Sequence, residues 1–473
     1  MATEPQASRR RPTLDAVATA YVWGYPLVAV HRARTAAGAR AAGGLVARPR
    51  LSTAADRSVV APNNDTLYAS GWFDLSAGPV TLDVAAMDRP DRYWSVMLLD
   101  AYTNVSYVCR RLHGTAGARV QVTLDADAPH RPDESLGVVP VATPTVWVLA
   151  RVVVDGPEDL GPACRALAGI RTHQTPAGPP ALGDRSQSAA GSGSAAAGGS
   201  PAPGDAAERS DPPTASPEPL PVRSGPEPGM ADASTAAVRW FDDLRAALAA
   251  DPPAPWHPSP PPGLTGLLAD PPPPDVLAAG VAAGEARLAA AGGGVDRTGN
   301  GWGTRARGAA FGDDVAYRAA FAKYSLAGHL PAENRSYSRV IDGRRPAVLR
   351  FQAGEPPVAG FWSLTMYGPD MFLVDNEIGR HSIGDRTPGL CREPDGSLTV
   401  TIGHDRPAAT ANWLPAPAGP CVLVLRAYEG AAPVVGATWF PPDLDPVPDA
   451  EPAQAVAPVL GSAESAGVAV RSS

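Results

Sequence analysis

The sequence predicts a mainly β protein with helical segments (α+β): two antiparallel β-sandwich domains, the second jelly-roll-like, with a helical region between them. Three observations carry that expectation. Apolar residues alternate with period two in short runs on both sides of a central spacer. The 54 Pro and 48 Gly in 473 residues argue against an all-helical chain. No helical run falls between successive strands, which excludes a parallel α/β sheet.

Residues 13–170 read as a helix followed by a β-sandwich. Thr13 is placed to cap the helix with Asp15 in its first turn. Leu14, Val17, Tyr21 and Val28 share one face, and Pro26 is expected to kink or restart the helix. After Arg50 the period changes. Trp94, Val96 and Leu98 alternate with Tyr93, Ser95, Met97 and Leu99, and 145–154 is a β-branched run around Trp147. Pro62-Asn63-Asn64-Asp65 and Ala77-Gly78-Pro79 are turn signals between such runs.

Residues 171–232 are a Pro, Gly, Ser and Ala mixture such as SQSAAGSGSAAAGGSPAPGD, and no aromatic residue occurs between Trp147 and Trp240. Such a composition reads as a disordered linker, because it cannot bury enough apolar area to offset the entropy of ordering. Residues 233–310 read as a helical connection. Val238, Phe241, Leu244 and Leu248 keep helical spacing, Ser234 is a candidate cap, and Asp251-Pro252 ends the run. A second helix covers 275–290, after a Pro-rich stretch at 252–274. Residues 311–445 form the second sandwich. Its strands are marked by Trp362, Leu364 and Met366, by Leu398, Val400 and Ile402, and by Cys421, Leu423 and Leu425. Residues 446–473 read as a loose tail.

Composition limits function. A net charge of −8 with 40 Lys+Arg, of which only Lys323 is lysine, gives no basic stripe, so nucleic acid is not an expected partner. The Arg, Ala, Pro and Gly bias is what a GC-rich bacterial genome imposes. No apolar leader follows Arg9, Arg10 and Arg11, and 14–30 is interrupted by Asp15, Gly24 and Pro26, so neither a signal peptide nor a membrane span is expected and the cytoplasm is the default. Cys109, Cys164, Cys391 and Cys421 form no Cys-x-x-Cys pair and read as free thiols. The eight histidines share no helical-turn or His-x-His spacing, so no metal is expected. Without a P-loop, a Gly-x-Gly-x-x-Gly turn after a strand, or a Gly-x-Ser-x-Gly elbow, no cofactor is expected either.

Several motifs together resemble known families. Tyr21-Val22-Trp23-Gly24-Tyr25-Pro26, Ala61-Pro62-Asn63-Asn64-Asp65-Thr66-Leu67-Tyr68, Asp91-Arg92-Tyr93-Trp94 and Leu99-Asp100-Ala101-Tyr102-Thr103-Asn104 are similar to the domain-of-unknown-function family numbered 1254. Asn300-Gly301-Trp302-Gly303, Gly360-Phe361-Trp362-Ser363, Asp375-Asn376, Ile383-Gly384-Asp385-Arg386 and Asn412-Trp413-Leu414-Pro415 resemble its usual companion, number 1214. The resemblance implies two sandwich-like domains with helices between them and brings no established activity.

The candidate site consists of polar residues embedded in those motifs. Asp65 and Asp385, with Arg386 orienting an anionic group, are the candidates for acid–base chemistry. Asn64, Tyr68, Tyr102, Trp302, Tyr367, Asp375, Asn376 and Arg380 are candidate ligand contacts. Each has a structural alternative. Asn63-Asn64-Asp65 suits an Asx turn, the Asp–Arg neighbours suit an ion pair, and the aromatics suit a core. On the strand around Trp362, alternation requires only one of Trp362 and Tyr367 to face the sandwich interior. The expected function is a cofactor-independent small-molecule binding protein or enzyme. A pair of carbohydrate-binding modules and a structural or assembly protein are the alternatives, and a homo-oligomer stays open.

Overall fold

The structure is a computed structural model and describes residues 6–38, 43–57, 59–128, 130–131, 134, 137–176, 233–291, 295–352 and 354–447. Most of the expected linker (177–232) and most of the expected tail (448–473) lie outside the described residues.

Helix α1 (Gln6–Ala37) opens the chain. It runs unbroken through Thr13 and Pro26, so Thr13 does not cap it and Pro26 does not restart it. Nine strands follow: β1 (Val46–Arg48), β2 (Thr66–Asp74), β3 (Val80–Val84), β4 (Trp94–Asp100), β5 (Val105–Cys109), β6 (Ala118–Leu124), β7 (Val138–Val141), β8 (Thr145–Val153) and β9 (Ile170–Gln174). The short helix α2 (Arg110–His113) follows β5, and α3 (Leu160–Ala168) separates β8 from β9. Strand β9 carries the first domain to Gln174, past the expected boundary at 170. The strands form two sheets, β1-β2-β8-β4-β5 and β7-β6-β3-β9.

Strand alternation divides the first sheet between two cores. Trp94, Val96, Leu98, Val148 and Val152 point into the sandwich. Met97, Leu99, Trp72, Trp147 and Leu149 point outward into a helical layer. Every residue of β8 is buried, which is why it reads as a continuous apolar run. The layer consists of α1, α4 (Ala233–Ala250), α5 (Leu264–Ala269), α6 (Pro274–Ala290) and α7 (Val315–Ser325). A Cβ at Gly280 would stand 2.2 Å from Val17 Cγ1, and one at Gly284 2.6 Å from Tyr21 Cδ1. Glycine at these two positions lets α6 lie directly on α1.

The second domain contains β10 (Arg297–Gly299), β11 (Trp302–Thr304), β12 (Asn334–Asp342), β13 (Ala347–Phe351), β14 (Trp362–Tyr367), β15 (Ser382–Gly384), β16 (Leu398–Gly403), β17 (Trp413–Pro415), β18 (Pro420–Tyr428) and β19 (Leu444–Pro446), with α8 (Ala432–Val435) before β19. Its sheets are β10-β11-β12-β18-β14-β15 and β17-β16-β13-β19, and they enclose Trp362, Leu364, Met366, Leu398, Val400, Ile402, Leu423 and Leu425. Trp362 faces this core while Tyr367 faces the first domain. Strands β10 and β11 fall within the span expected as helical connection. Helix α7 falls within the expected second sandwich, but it packs on α1 and α6.

The two sandwiches share one topology. Apart from the added edge strand β10, each neighbour relation in the first domain recurs in the second with the strand number raised by ten, including the parallel pairs β6–β7 and β16–β17. The register follows as well: the row Tyr68–Arg151–Ser95–Cys109 across β2, β8, β4 and β5 matches Ser336–Arg426–Ser363–Gly384 across β12, β18, β14 and β15. Backbone bonds outside the strands repeat too. Val153 N donates to Tyr93 O, and Tyr428 N to Phe361 O. Val154 N donates to Asp65 O, and Glu429 N to Glu333 O. Arg151 is therefore the counterpart of Arg426, Ser95 of Ser363, Tyr93 of Phe361, and Asp65 of Glu333.

Candidate functional site

Equivalent outer faces of the two large sheets meet, so the interdomain contact has the reciprocal form of an isologous interface. Tyr93 and its counterpart Phe361 touch across it at 5.2 Å between ring centroids, and Tyr428 stacks on Phe361 at 4.1 Å. The two halves related by this symmetry are built differently.

One half is sealed. The loop 61–65 lies on the outer face of β18, β14 and β15. Ser363 Oγ donates to Asp65 Oδ2 at 2.6 Å and Ser382 Oγ donates to Asp65 Oδ1 at 3.1 Å. Arg426 donates to Tyr367 Oη at 2.9 Å, to Thr365 Oγ1 at 3.2 Å and to Ala61 O at 3.2 Å. Tyr367 Oη donates to Pro62 O at 2.8 Å, and Asn63 Nδ2 to Tyr428 Oη at 2.6 Å. Asn63 Oδ1 accepts from Asp65 N, an Asx turn that fixes the loop. Burial raises the Asp65 carboxyl above its usual range, opposed by Arg426 and the two serines. The rim is closed by ions: Arg386 Nη1 donates to Asp91 Oδ2 at 2.6 Å and stands 3.4 Å from Asp155 Oδ2, and Arg89 pairs with Asp155. Asp385 Oδ1 accepts from Trp362 N at 3.0 Å, and burial pushes its pKa up to about 6.

The other half is open. At the places of Thr365 and Tyr367, which serve Arg426, stand Met97 and Leu99, which offer Arg151 no oxygen. Arg151 is 4% exposed, and among the described residues its Nε and Nη1 have no hydrogen-bond partner. Its guanidinium carbon lies 5.3 Å from the centre of the Tyr68 ring. His329 stands at the place of Ala61; its Nδ1 is 3.1 Å from Tyr107 Oη. Because Leu330 N donates to that same phenol oxygen, the phenol proton is free to go to Nδ1. Burial, reinforced by Arg151 and Arg426, holds the His329 pKa well below its ordinary value, so the ring is neutral. Glu333 stands at the place of Asp65. Tyr93 Oη donates to its Oε1 at 2.6 Å, while Oε2 makes no hydrogen bond and has Arg111 Nε at 3.5 Å. Burial, with Glu429 adding to it, raises the Glu333 carboxyl.

At the rim of this half there is a groove of about 680 Å³, lined by Arg110, Arg111, the segment 357–359 and the segment 429–431. By register, these positions match Asp385, Arg386, 89–91 and 154–156 of the sealed rim. Arg110 forms a bidentate pair with Glu429, whose backbone is held at φ 50°, a conformation that an L side chain rarely adopts.

Of the residues singled out from the sequence, Asn64, Asp65, Tyr68, Tyr367, Asp385 and Arg386 lie at the interdomain contact. Asn64 Nδ2 donates to Ser52 O at 2.5 Å. The others lie elsewhere. Tyr102 donates to Asp251 O beneath the helical layer, and Trp302 to Pro442 O in the second core. Arg380 donates to three carbonyls, of Thr410, Ala411 and Trp413, and Asn376 closes the same loop on Arg380. Asp375 is exposed. The expectations omit Arg110, Arg111, Arg151, His329, Glu333 and Glu429. One signal for them was available: Arg151 and Arg426 each interrupt an otherwise apolar strand.

A second buried acid–base pair has a different character. Ala254 N donates to His257 Nδ1, so Nε2 carries the proton toward Asp100 Oδ2 at 3.2 Å. Asp100 also accepts from Tyr102 N, Asn104 N and Asn104 Nδ2, so every side of the pair is occupied and it ties the helical layer to β4. Among the described residues, no group of three or more His, Cys, Asp or Glu is placed to hold a metal ion, and no helix is long and apolar enough to cross a membrane.

Comparison with known proteins agrees with this division. Residues 44–174 match a family described as a protein of unknown function, DUF1254, and residues 330–432 match a second, DUF1214. The fold is similar to the crystal structure of the VPA0106 protein from Vibrio parahaemolyticus, at 20% identity and a TM-score of 0.57, over 92% of this chain and 100% of that one. An uncharacterized protein from Burkholderia cenocepacia is more distant, at 13% identity and a TM-score of 0.42, over 90% of this chain and 94% of that one. No curated protein matches.

Proposed function

We propose that the protein binds a small organic acid in the interdomain groove at Arg110 and Arg111. The observation that supports this reading is the difference between matching rims: both carry ion pairs between the domains, Arg386 with Asp91 and Asp155 and Arg110 and Arg111 with Glu429 and Glu333, but the rim at Arg110 and Arg111 keeps about 680 Å³ of open groove. The walls combine Pro357, Val358 and Ala359 for an apolar body with Arg110 and Arg111 for an anionic end, which would share these cations with Glu429 and Glu333. Clefts between domains are common ligand sites.

In this reading Asp65, Asp385 and Arg386 hold the domains together and do not meet the ligand. Their oxygens and N–H groups are engaged by Ser363, Ser382, Trp362 and Asp91. A carbohydrate-stacking role finds less support, because Tyr324 is the aromatic among the exposed large hydrophobics of the described residues. The test is a thermal-shift screen of the full chain against small carboxylic acids, repeated on Arg111→Met and Arg386→Met. Stabilisation by an acid should persist in Arg386→Met and disappear in Arg111→Met. Equal retention in both variants would refute the assignment.

A further inference from the structure

The guanidinium of Arg151 carries an inference that does not depend on the groove. Arg151 and Arg426 occupy the same place in two copies of one fold, yet Arg426 is far better provided for: beside the Tyr68 phenol, Nε and Nη1 of Arg151 have no partner among the described residues. Arg426 has three oxygen acceptors and, close by, the carboxyl of Asp65. Around Arg151, the neighbouring groups are the phenols of Tyr68, Tyr93 and Tyr107 and the neutral imidazole of His329. Among the described residues, no carboxylate lies within ion-pair distance of it; Glu333, the counterpart of Asp65, is engaged by Tyr93 and faces Arg111. A buried cation without a counter-charge is costly, and ring faces compensate only part of that cost.

We propose that Arg151 holds a small monovalent anion, a halide or a carboxylate of formate size, between Tyr68 and His329. Those two residues are half-buried, whereas Tyr93, Tyr107 and Arg151 are buried, so they lie nearest the approach from solvent. With Nδ1 of His329 accepting from Tyr107, its Nε2 carries a proton and adds a neutral donor beside the guanidinium. The two unpartnered nitrogens of Arg151, Nε and Nη1, then gain an acceptor, and the interface gains the negative charge that Asp65 gives to the other half.

The experiment uses the full chain. Thermal unfolding is followed at fixed ionic strength while sodium gluconate is replaced by sodium bromide or by sodium formate, for the wild type and for Arg151→Met. Crystals soaked in bromide are examined for anomalous scattering. The expected result is a saturable rise in melting temperature with at least one of the two small anions, its loss in Arg151→Met, and, where bromide is the effective anion, a bromide peak against the Arg151 guanidinium. Response to bromide alone identifies a halide site, and response to formate alone identifies a carboxylate site. If Arg151→Met does not fold, wild-type crystals soaked in bromide or in formate decide the matter. No response to either anion, or an equal response in Arg151→Met, would overturn the proposal. Bromide found only at Arg110 and Arg111 would overturn it while leaving the groove reading intact.

Discussion

The two halves of the domain interface start from the same strands, the same register and an arginine at the same position, and they end in opposite conditions. Around Arg426 each charge meets a partner: Asp65 has two serines, the guanidinium has Thr365, Tyr367 and a carbonyl, and the rim has Arg386 between two aspartates. Around Arg151 the hydroxyl-bearing positions have become Met97 and Leu99, and the rim has become a groove. A repeated fold thus supplies an internal control. The scaffold requires what both halves keep, and whatever only one half keeps or omits is where function is to be sought.

The largest effect should come from the sealed half. Asp65→Ala leaves the hydroxyls of Ser363 and Ser382 without their acceptor and takes a carboxyl from the neighbourhood of the buried Arg426, and should cost about 2–4 kcal/mol in denaturant unfolding, the range for leaving buried polar groups unpaired. Glu333→Ala should cost clearly less, because Oε2 of Glu333 makes no hydrogen bond to begin with. Equal losses would break the comparison.

The next effect concerns pH. Asp385, raised to about 6, binds its proton more tightly in the folded protein than in the unfolded chain. Its contribution to stability is therefore present below about pH 4 and lost as the pH rises through 6, by at most about 3 kcal/mol for a shift of about two units. Asp385→Asn keeps an oxygen for Trp362 N and should remove that slope from a pH series of unfolding curves. A slope unchanged in the variant would assign it to other carboxyls.

Smaller changes sharpen the rims. Arg386→Met should lose about 1 kcal/mol, less at high salt, since its partner Asp91 is half exposed. Arg111→Met should cost about 1 kcal/mol, because its half-buried guanidinium faces the buried Glu333 carboxyl at 3.5 Å.

Much of the fold was legible because strand alternation is a local signal. Trp94, Val96 and Leu98, and likewise Trp362, Leu364 and Met366, point into their cores as period two requires. Six residues expected as catalytic or ligand contacts, Asn64, Asp65, Tyr68, Tyr367, Asp385 and Arg386, lie at the interdomain contact, a placement that the sequence alone does not indicate. Sequence reasoning could not pair Glu333 with Tyr93 or Arg110 with Glu429, which are 240 and 319 residues apart. Nor could it find the repeat. Tyr93-Trp94-Ser95 and Phe361-Trp362-Ser363 are short, and only the register shows that they occupy one position. The helix does not restart at Pro26 because packing under α4 and α6 outweighs the missing N–H.

The central claim, that one rim of a duplicated interface is a ligand site and the other a seam, is tested most directly by a crystallographic fragment screen. Carboxylate fragments should collect between Arg110, Arg111 and the segments 357–359 and 429–431, leaving the matching positions around Arg386, Asp91 and Asp155 bare. Fragments seated at the Arg386 rim, or a groove that takes none, would contradict the account.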